Sequence, residues 1–180
     1  MCDCLNRRVF LKGCLGAGAV LVAPAVLAKA IAPAERSLAL RNLHTGERVE
    51  VTYWVDGHYV QDHIHSISQV LRDHRSGDVH PIDASLLDQL YVLRHRLGSE
   101  HAFHVISGYR SPASNAGLQA NGNGVATRSL HMEGRAIDIR LPGVKLDRLH
   151  RAAVDLNAGG VGYYPKSDFI HIDTGRVRYW

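Results

Sequence analysis

Ser129-Leu130-His131-Met132-Glu133-Gly134-Arg135-Ala136-Ile137-Asp138-Ile139-Arg140 reads as a turn closed by Gly134 and followed by a strand. Ile137 and Ile139 alternate with Asp138 and Arg140, so the isoleucines share one face and the polar residues the other. Asp168-Phe169-Ile170-His171-Ile172-Asp173 alternates in the same way, with Ile170 and Ile172 toward a core and His171 away from it. If the two strands pair, Asp138 and His171 sit side by side on the open face. His131, just before its strand, leans over that face. The two segments thus predict a small antiparallel sheet, apolar on one side, with two histidines and a carboxylate on the other.

That trio is a metal-ligand set. Three protein ligands, an open fourth position and a nearby base are what a zinc hydrolase requires. Ligand distances of roughly 2.0–2.2 Å are expected for the histidine nitrogens and the Asp138 oxygen. His-Asp-His carries one negative charge, so a divalent ion leaves the centre cationic. That favours ionising a bound water near pH ~7. A His-Glu-x-x-His helix motif is absent, which argues against a thermolysin-like design. The chain has twelve histidines, and most need no special role. His63 and His65 stand two apart in a predicted helix and point to different sides, so a joint metal site is not expected there. His101 and His104 are left without a role.

The surrounding sequence predicts one α+β domain with helices packed on the sheet. Leu38 to Leu43 and Val49 to Val55 read as strands joined by a hairpin at His44-Thr45-Gly46-Glu47. Asp62 to Arg75 and Asp83 to Leu97 read as helices. In the second, Leu86, Leu87, Leu90, Leu93 and Leu97 form a face, Asp83 caps and Gly98 terminates. Phe103 to Ser107 is a further strand. Ser111 with Pro112 opens a short helix, and Asn121 to Gly124 is a flexible loop. Leu146 to Leu156 is a helix closed by Gly159-Gly160.

The N-terminal segment reads as an address. Asn6-Arg7-Arg8-Val9-Phe10-Leu11-Lys12 resembles a twin-arginine export signal, followed by an apolar run from Gly13 to Ala28 and small-residue cleavage patterns. Interrupted by Pro24, that run falls short of the ~20 apolar residues that span a bilayer. Residues 1–30 are therefore expected to be a cleaved signal peptide, 31–37 a linker, and 38–180 the folded domain. All three cysteines, Cys2, Cys4 and Cys14, lie in the leader, which excludes a disulfide framework, a cysteine nucleophile and thiolate ligands in the domain. The formal charge is +4, of which residues 1–30 carry +3 (Arg7, Arg8, Lys12 and Lys29 against Asp3), leaving about +1. Such a balance gives no nucleic-acid signature.

Ser107-Gly108-Tyr109-Arg110-Ser111, Ser129-x-His131-x-x-Gly134-x-Ala136-x-Asp138, Gly160-Val161-Gly162-Tyr163-Tyr164-Pro165 and Phe169-Ile170-His171-Ile172-Asp173-Thr174-Gly175 together carry a resemblance. They are similar to the MepK (YcbK)-type murein endopeptidases, within the wider D-Ala-D-Ala peptidase and hedgehog-like metallopeptidase superfamily. The likeness runs from about Leu38 to Trp180 and includes Asn42 to Glu47 and Leu71 to Arg75. It implies Zn2+ bound by His131, Asp138 and His171. It implies Asp168 as general base, although the superfamily often places Glu there; Glu133 is the rival. It implies Arg110 as the group that steadies the substrate carbonyl as it gains charge. Asp173 either orients a ligand from behind or serves the turn at Thr174-Gly175. Ser129 either bonds a ligand or starts the turn, and Tyr163 and Tyr164 either line the cleft or pack. The expected protein is a periplasmic, monomeric endopeptidase that cuts peptide crosslinks in peptidoglycan stem peptides. The alternatives are a D,D- or L,D-carboxypeptidase that trims stems and a cell-wall-binding module without catalysis.

Overall fold

The structure is a computed structural model and describes residues 34–122 and 125–180. The leader, residues 31–33 and the last two residues of the Asn121 to Gly124 loop lie outside the described residues. Strands β1 (Glu35–Asn42) and β2 (Arg48–Val55) form the expected hairpin, turned by Gly46 at φ 76°. After β3 (His58–Tyr59) come α1 (Gln61–Val70), α2 (Ala84–Leu97), β4 (Phe103–Ser107) and α3 (Pro112–Ala120). β5 (Ala136–Arg140), α4 (Leu146–Val154), β6 (Gly160–Tyr164), β7 (Phe169–Asp173) and β8 (Arg178–Tyr179) complete the chain.

The class is α+β as expected, but the sheet is wider and mixed. Its order is β3-β2-β1-β4-β5-β7-β6-β8, with parallel pairs β1/β4 and β6/β8 among antiparallel ones. A parallel pair needs a long crossover. The segment carrying α1 and α2 supplies it between the hairpin and β4, a connection that hydrophobic alternation does not reveal.

One core joins the elements. Leu38 and Leu40, Phe103 and Val105, Ile137 and Ile139, and Ile170 and Ile172 are fully or almost fully inaccessible. They pack in one cluster with Leu86, Leu87, Leu90 and Leu93 of α2, Ile64 and Ile67 of α1, and Leu149 of α4. Helix α2 has the predicted caps: Asp83 accepts a bond from the Ser85 amide, and Gly98 adopts the left-handed conformation. Because alternation sends the isoleucines of β5 and β7 into this core, the same strands must present Asp138 and His171 on the opposite face.

Two boundaries differ from expectation. Glu35 to Ser37 belong to β1, not to a linker. Arg36 pairs with Asp88 at 2.7 Å and lies 4.3 Å from the Trp54 ring, which anchors this strand end. Helix α1 stops at Val70 instead of running to Arg75. There the Leu71 carbonyl accepts the Tyr109 amide at 2.8 Å, and the buried Asp73 accepts the amides of Arg75 and Ser111 at 2.9 and 2.8 Å. A side chain that offers the backbone such partners competes with helix continuation. Here it ties the segment after α1 to the loop that carries Arg110.

Candidate metal centre

Asp138 and His171 are directly opposed in the antiparallel β5/β7 register, so the cross-strand pair read from alternation is present. His131 arrives from the 3-10 turn Leu130–Glu133, which Gly134 ends at φ 65°. A side chain at Gly134 would run into the Pro81 carbonyl, and the Gly134 carbonyl accepts the Asp83 amide at 3.0 Å. Glycine is therefore required both for the backbone angle and for the close approach.

Three atoms converge. His171 Nδ1 lies 2.8 Å from Asp138 Oδ1, His131 Nε2 lies 3.3 Å from the same oxygen, and the two nitrogens are 3.2 Å apart. Ligands at ~2.0–2.1 Å from a tetrahedral ion stand roughly 3.3 Å from one another, so this spacing suits a metal. The far ring nitrogens are committed elsewhere. His131 Nδ1–H donates to the Gly108 carbonyl at 2.7 Å, and His171 Nε2–H donates to Asp173 Oδ2 at 3.0 Å. His131 Nε2 is left facing the Asp138 carboxylate and His171 Nδ1. Electron-rich atoms this close, in residues as buried as His131 (3%) and Asp138 (7%), need a cation between them. A metal ion or a proton on His171 Nδ1 meets that need.

The titration directions agree. Burial pushes the Asp138 carboxyl up, but His131 and His171 outweigh it and hold it well below the usual carboxylate range. Burial lowers His171, yet hydrogen bonds and charge from Asp138 and Asp173 leave it raised above 6.5. Asp173, fully buried, also stays ionised. His171, Arg178 and the amides of Gly175 and Gly160 overcome its desolvation.

Arg110 enters the same centre. Its Nη2 is 4.0 Å from Asp138 Oδ2, and it donates to Asn115 Oδ1 at 3.3 Å and Ser107 Oγ at 3.4 Å. Its Nε is buried without a partner. Arg110, Tyr164, Phe169 and Trp180 line the cleft above the three ligands, which has a volume of about 410 Å³. Arg128 and Arg178 line it too, so cations and aromatic rings dominate its walls.

Asp173 performs both roles foreseen for it. Its Oδ2 accepts from His171, while its Oδ1 accepts the Gly175 amide at 2.8 Å. Tyr164 lines the cleft, whereas Tyr163 stacks on His150 at 4.7 Å and packs against the core. Ser129 lines the cleft and precedes the turn, and its carbonyl accepts the Met132 amide. His63 Nδ1 bonds the Thr52 carbonyl at 2.6 Å, apart from His65.

Asp168 is not brought to the centre in this conformation. It caps a short 3-10 turn in the left-handed region at φ 54°, largely exposed, and accepts from Arg140 Nη1 at 2.8 Å. It borders a second cleft with His104, Arg140 and Leu146. Glu133 is likewise held outward, by Arg135 at 3.0 Å. Among the described residues, the only carboxylates that line the first cleft are Asp138 and Asp173. Three contributors were missed in the sequence: the Gly108 carbonyl, Asn115 beside Arg110, and Arg178 with Trp180. Only the last pair carried a signal, the alternation of Arg178-Tyr179-Trp180 beside a turn.

An open three-ligand centre at the floor of a cleft, on the polar face of an α+β sheet, is the arrangement of a metallohydrolase. The chain belongs to the family described as peptidoglycan L,D-endopeptidase MepK, whose profile matches residues 30–180. It is 39% identical over 178 residues to the peptidoglycan L,D-endopeptidase MepK of Escherichia coli (strain K12), covering 99% of this chain and 98% of that protein. The Shigella flexneri protein of the same name matches equally. The probable peptidoglycan L,D-endopeptidase MepK of Haemophilus influenzae is 38% identical over 177 residues, 97% of this chain and 95% of that protein.

Proposed function

We propose that this chain is a zinc-dependent peptidoglycan endopeptidase that hydrolyses peptide crosslinks between stem peptides. The observation that carries the reading is the convergence of His131 Nε2, Asp138 Oδ1 and His171 Nδ1, with both outer ring nitrogens already committed. Zinc bound there supplies a Lewis acid and makes water nucleophilic near neutral pH. His131 and Asp138 are buried, and His171 nearly so, which keeps competing water away from their inner edges. Arg110 places its guanidinium beside Asp138, where it stabilises negative charge on the carbonyl oxygen under attack.

Asp168 is assigned as proton acceptor because it stands three residues before the last ligand, where the superfamily carries its base. Since Arg140 holds it in this conformation, exchange of that ion pair precedes proton transfer. Export through the twin-arginine route to the periplasm completes the reading, on the strength of Arg7 and Arg8 and the apolar run after them. Among the described residues, no helix is long and apolar enough to cross a membrane.

Digestion of purified muropeptides, followed by mass spectrometry, tests the reaction. Crosslinked dimers should split into monomers without loss of terminal alanine. Alanine release from uncrosslinked stems would instead identify a carboxypeptidase, and intact substrates in the presence of zinc would point to a binding module.

A pH dependence follows from His171. Proton and metal compete for Nδ1, so zinc affinity should rise with pH until His171 has passed its raised value, with about one proton released per zinc below it. The sign for stability is opposite. In the metal-free protein the His171 contribution is fully present below pH 6.5 and lost as pH climbs through the raised value. Asp138 and Asp173, both depressed, contribute above pH 3.8 and lose that contribution as pH falls. Calorimetric zinc titration in buffers of different ionisation enthalpy measures the proton count; an affinity flat from pH 5 to pH 8 contradicts the competition.

A further inference from the structure

Gly160 and Gly162 stand two apart on β6 and so share a face. Alongside them β8 runs parallel, with Arg178 opposite Gly160 and Tyr179 opposite Val161. A Cβ on Gly160 would collide with Arg178 Nη1 and the Asp173 carboxylate, and a Cβ on Gly162 would come within 2.6 Å of the Trp180 indole. The glycine pair thus leaves a trough that Arg178 and Trp180 fill.

Within it Arg178 grips Asp173 with both arms of its guanidinium, Nη2 to Oδ2 at 2.6 Å and Nη1 to Oδ1 at 3.0 Å. Paired forks of this kind fix a carboxylate in orientation as well as position. Asp173 is fully buried, and its Oδ2 is the oxygen that receives His171 Nε2–H. The Trp180 ring lies 5.0 Å from the Arg178 guanidinium and 5.3 Å from the His171 ring, and donates Nε1–H to the Tyr164 hydroxyl at 2.8 Å. The Arg178 side chain stays about a third exposed, while the carboxylate it grips is fully inaccessible.

We propose that Arg178 is a positioning residue for the metal ligand His171, acting through Asp173, and that positions 160 and 162 are glycine so that Arg178 and Trp180 can lie there. Arg178 holds the carboxylate, the carboxylate fixes which ring nitrogen bears the proton, and the other nitrogen is thereby aimed at Asp138 and His131. This rests on the reading of the triad as a metal centre.

The test is the zinc dissociation constant, by competition with a chromophoric chelator, of the wild-type chain and the Arg178→Ala, Arg178→Lys and Gly160→Ala variants. Circular dichroism and the ring 15N shifts of His171 are read on the same samples. Arg178→Ala and Gly160→Ala should bind zinc about 10–100-fold more weakly. The His171 ring should lose its single Nε2–H form while the fold persists. Arg178→Lys keeps the charge without the fork and should fall between. If Arg178→Ala does not fold, Arg178→Lys decides. Folded variants with wild-type affinity and an unchanged ring signature overturn the inference and leave Arg178 a structural residue. A wild-type chain that binds no zinc overturns the metal centre itself, and the two failures are distinct.

Discussion

Alanine at His131 or His171 abolishes crosslink cleavage and zinc retention together. Each removes one of the three proposed ligands, and neither leaves a donor behind. Loss of a ligand should exceed the ~10–100-fold cost of losing a group that merely supports one. The variants should differ in what remains. His131→Ala strands the Gly108 carbonyl in a buried site, while His171→Ala strands Asp173, which still has Arg178 and two amides. Zinc content by mass spectrometry, with muropeptide digestion on the same samples, checks both. Full zinc occupancy in either variant would falsify the ligand assignment.

Alanine at Arg110 lowers turnover by about 10²–10³, the usual cost of removing one donor from a developing oxyanion. Zinc content should hold, because Arg110 touches Asp138 only at 4.0 Å and is not a ligand. Burial and Asn115 keep the guanidinium in place, so in its proposed role its effect is expected in the transition state rather than in substrate capture. Hence kcat should fall with little change in KM. Arg110→Lys should recover only part, since an ammonium cannot keep the contacts to Ser107 and Asn115 while reaching the carbonyl. A rise in KM at constant kcat would move Arg110 from catalysis to binding.

Much of this site was legible in the sequence because strand alternation is a local property. Ile137 against Asp138 and Ile170 against His171 gave the two faces, and the core then forced the polar residues together. The α2 caps were legible for the same reason. Register, strand order and the mixed sheet were not, since they depend on pairings between distant segments such as β1 with β4. Asp168 shows the limit of reading by offset. It stands three residues before His171 in the chain, but the left-handed backbone and the Arg140 partner direct its carboxylate to a neighbouring cleft. Arg178 was hidden because its meaning depends on Gly160 and Gly162, distant in sequence, which matter for the side chains they lack.

The two histidines of the candidate metal centre are held by different kinds of partner, and this bears on how the protein can drift over generations. His171 leans on Asp173, a side chain that a single codon change can erase. His131 leans on a main-chain oxygen, Gly108, that every amino acid would retain. Only a change that moves the backbone can disturb it. Position 108 itself is the sensitive one, because any side chain there would press on the Leu71 carbonyl and Cβ. One histidine is thus buffered against most mutations, while the other gives selection a handle on the geometry of the candidate centre.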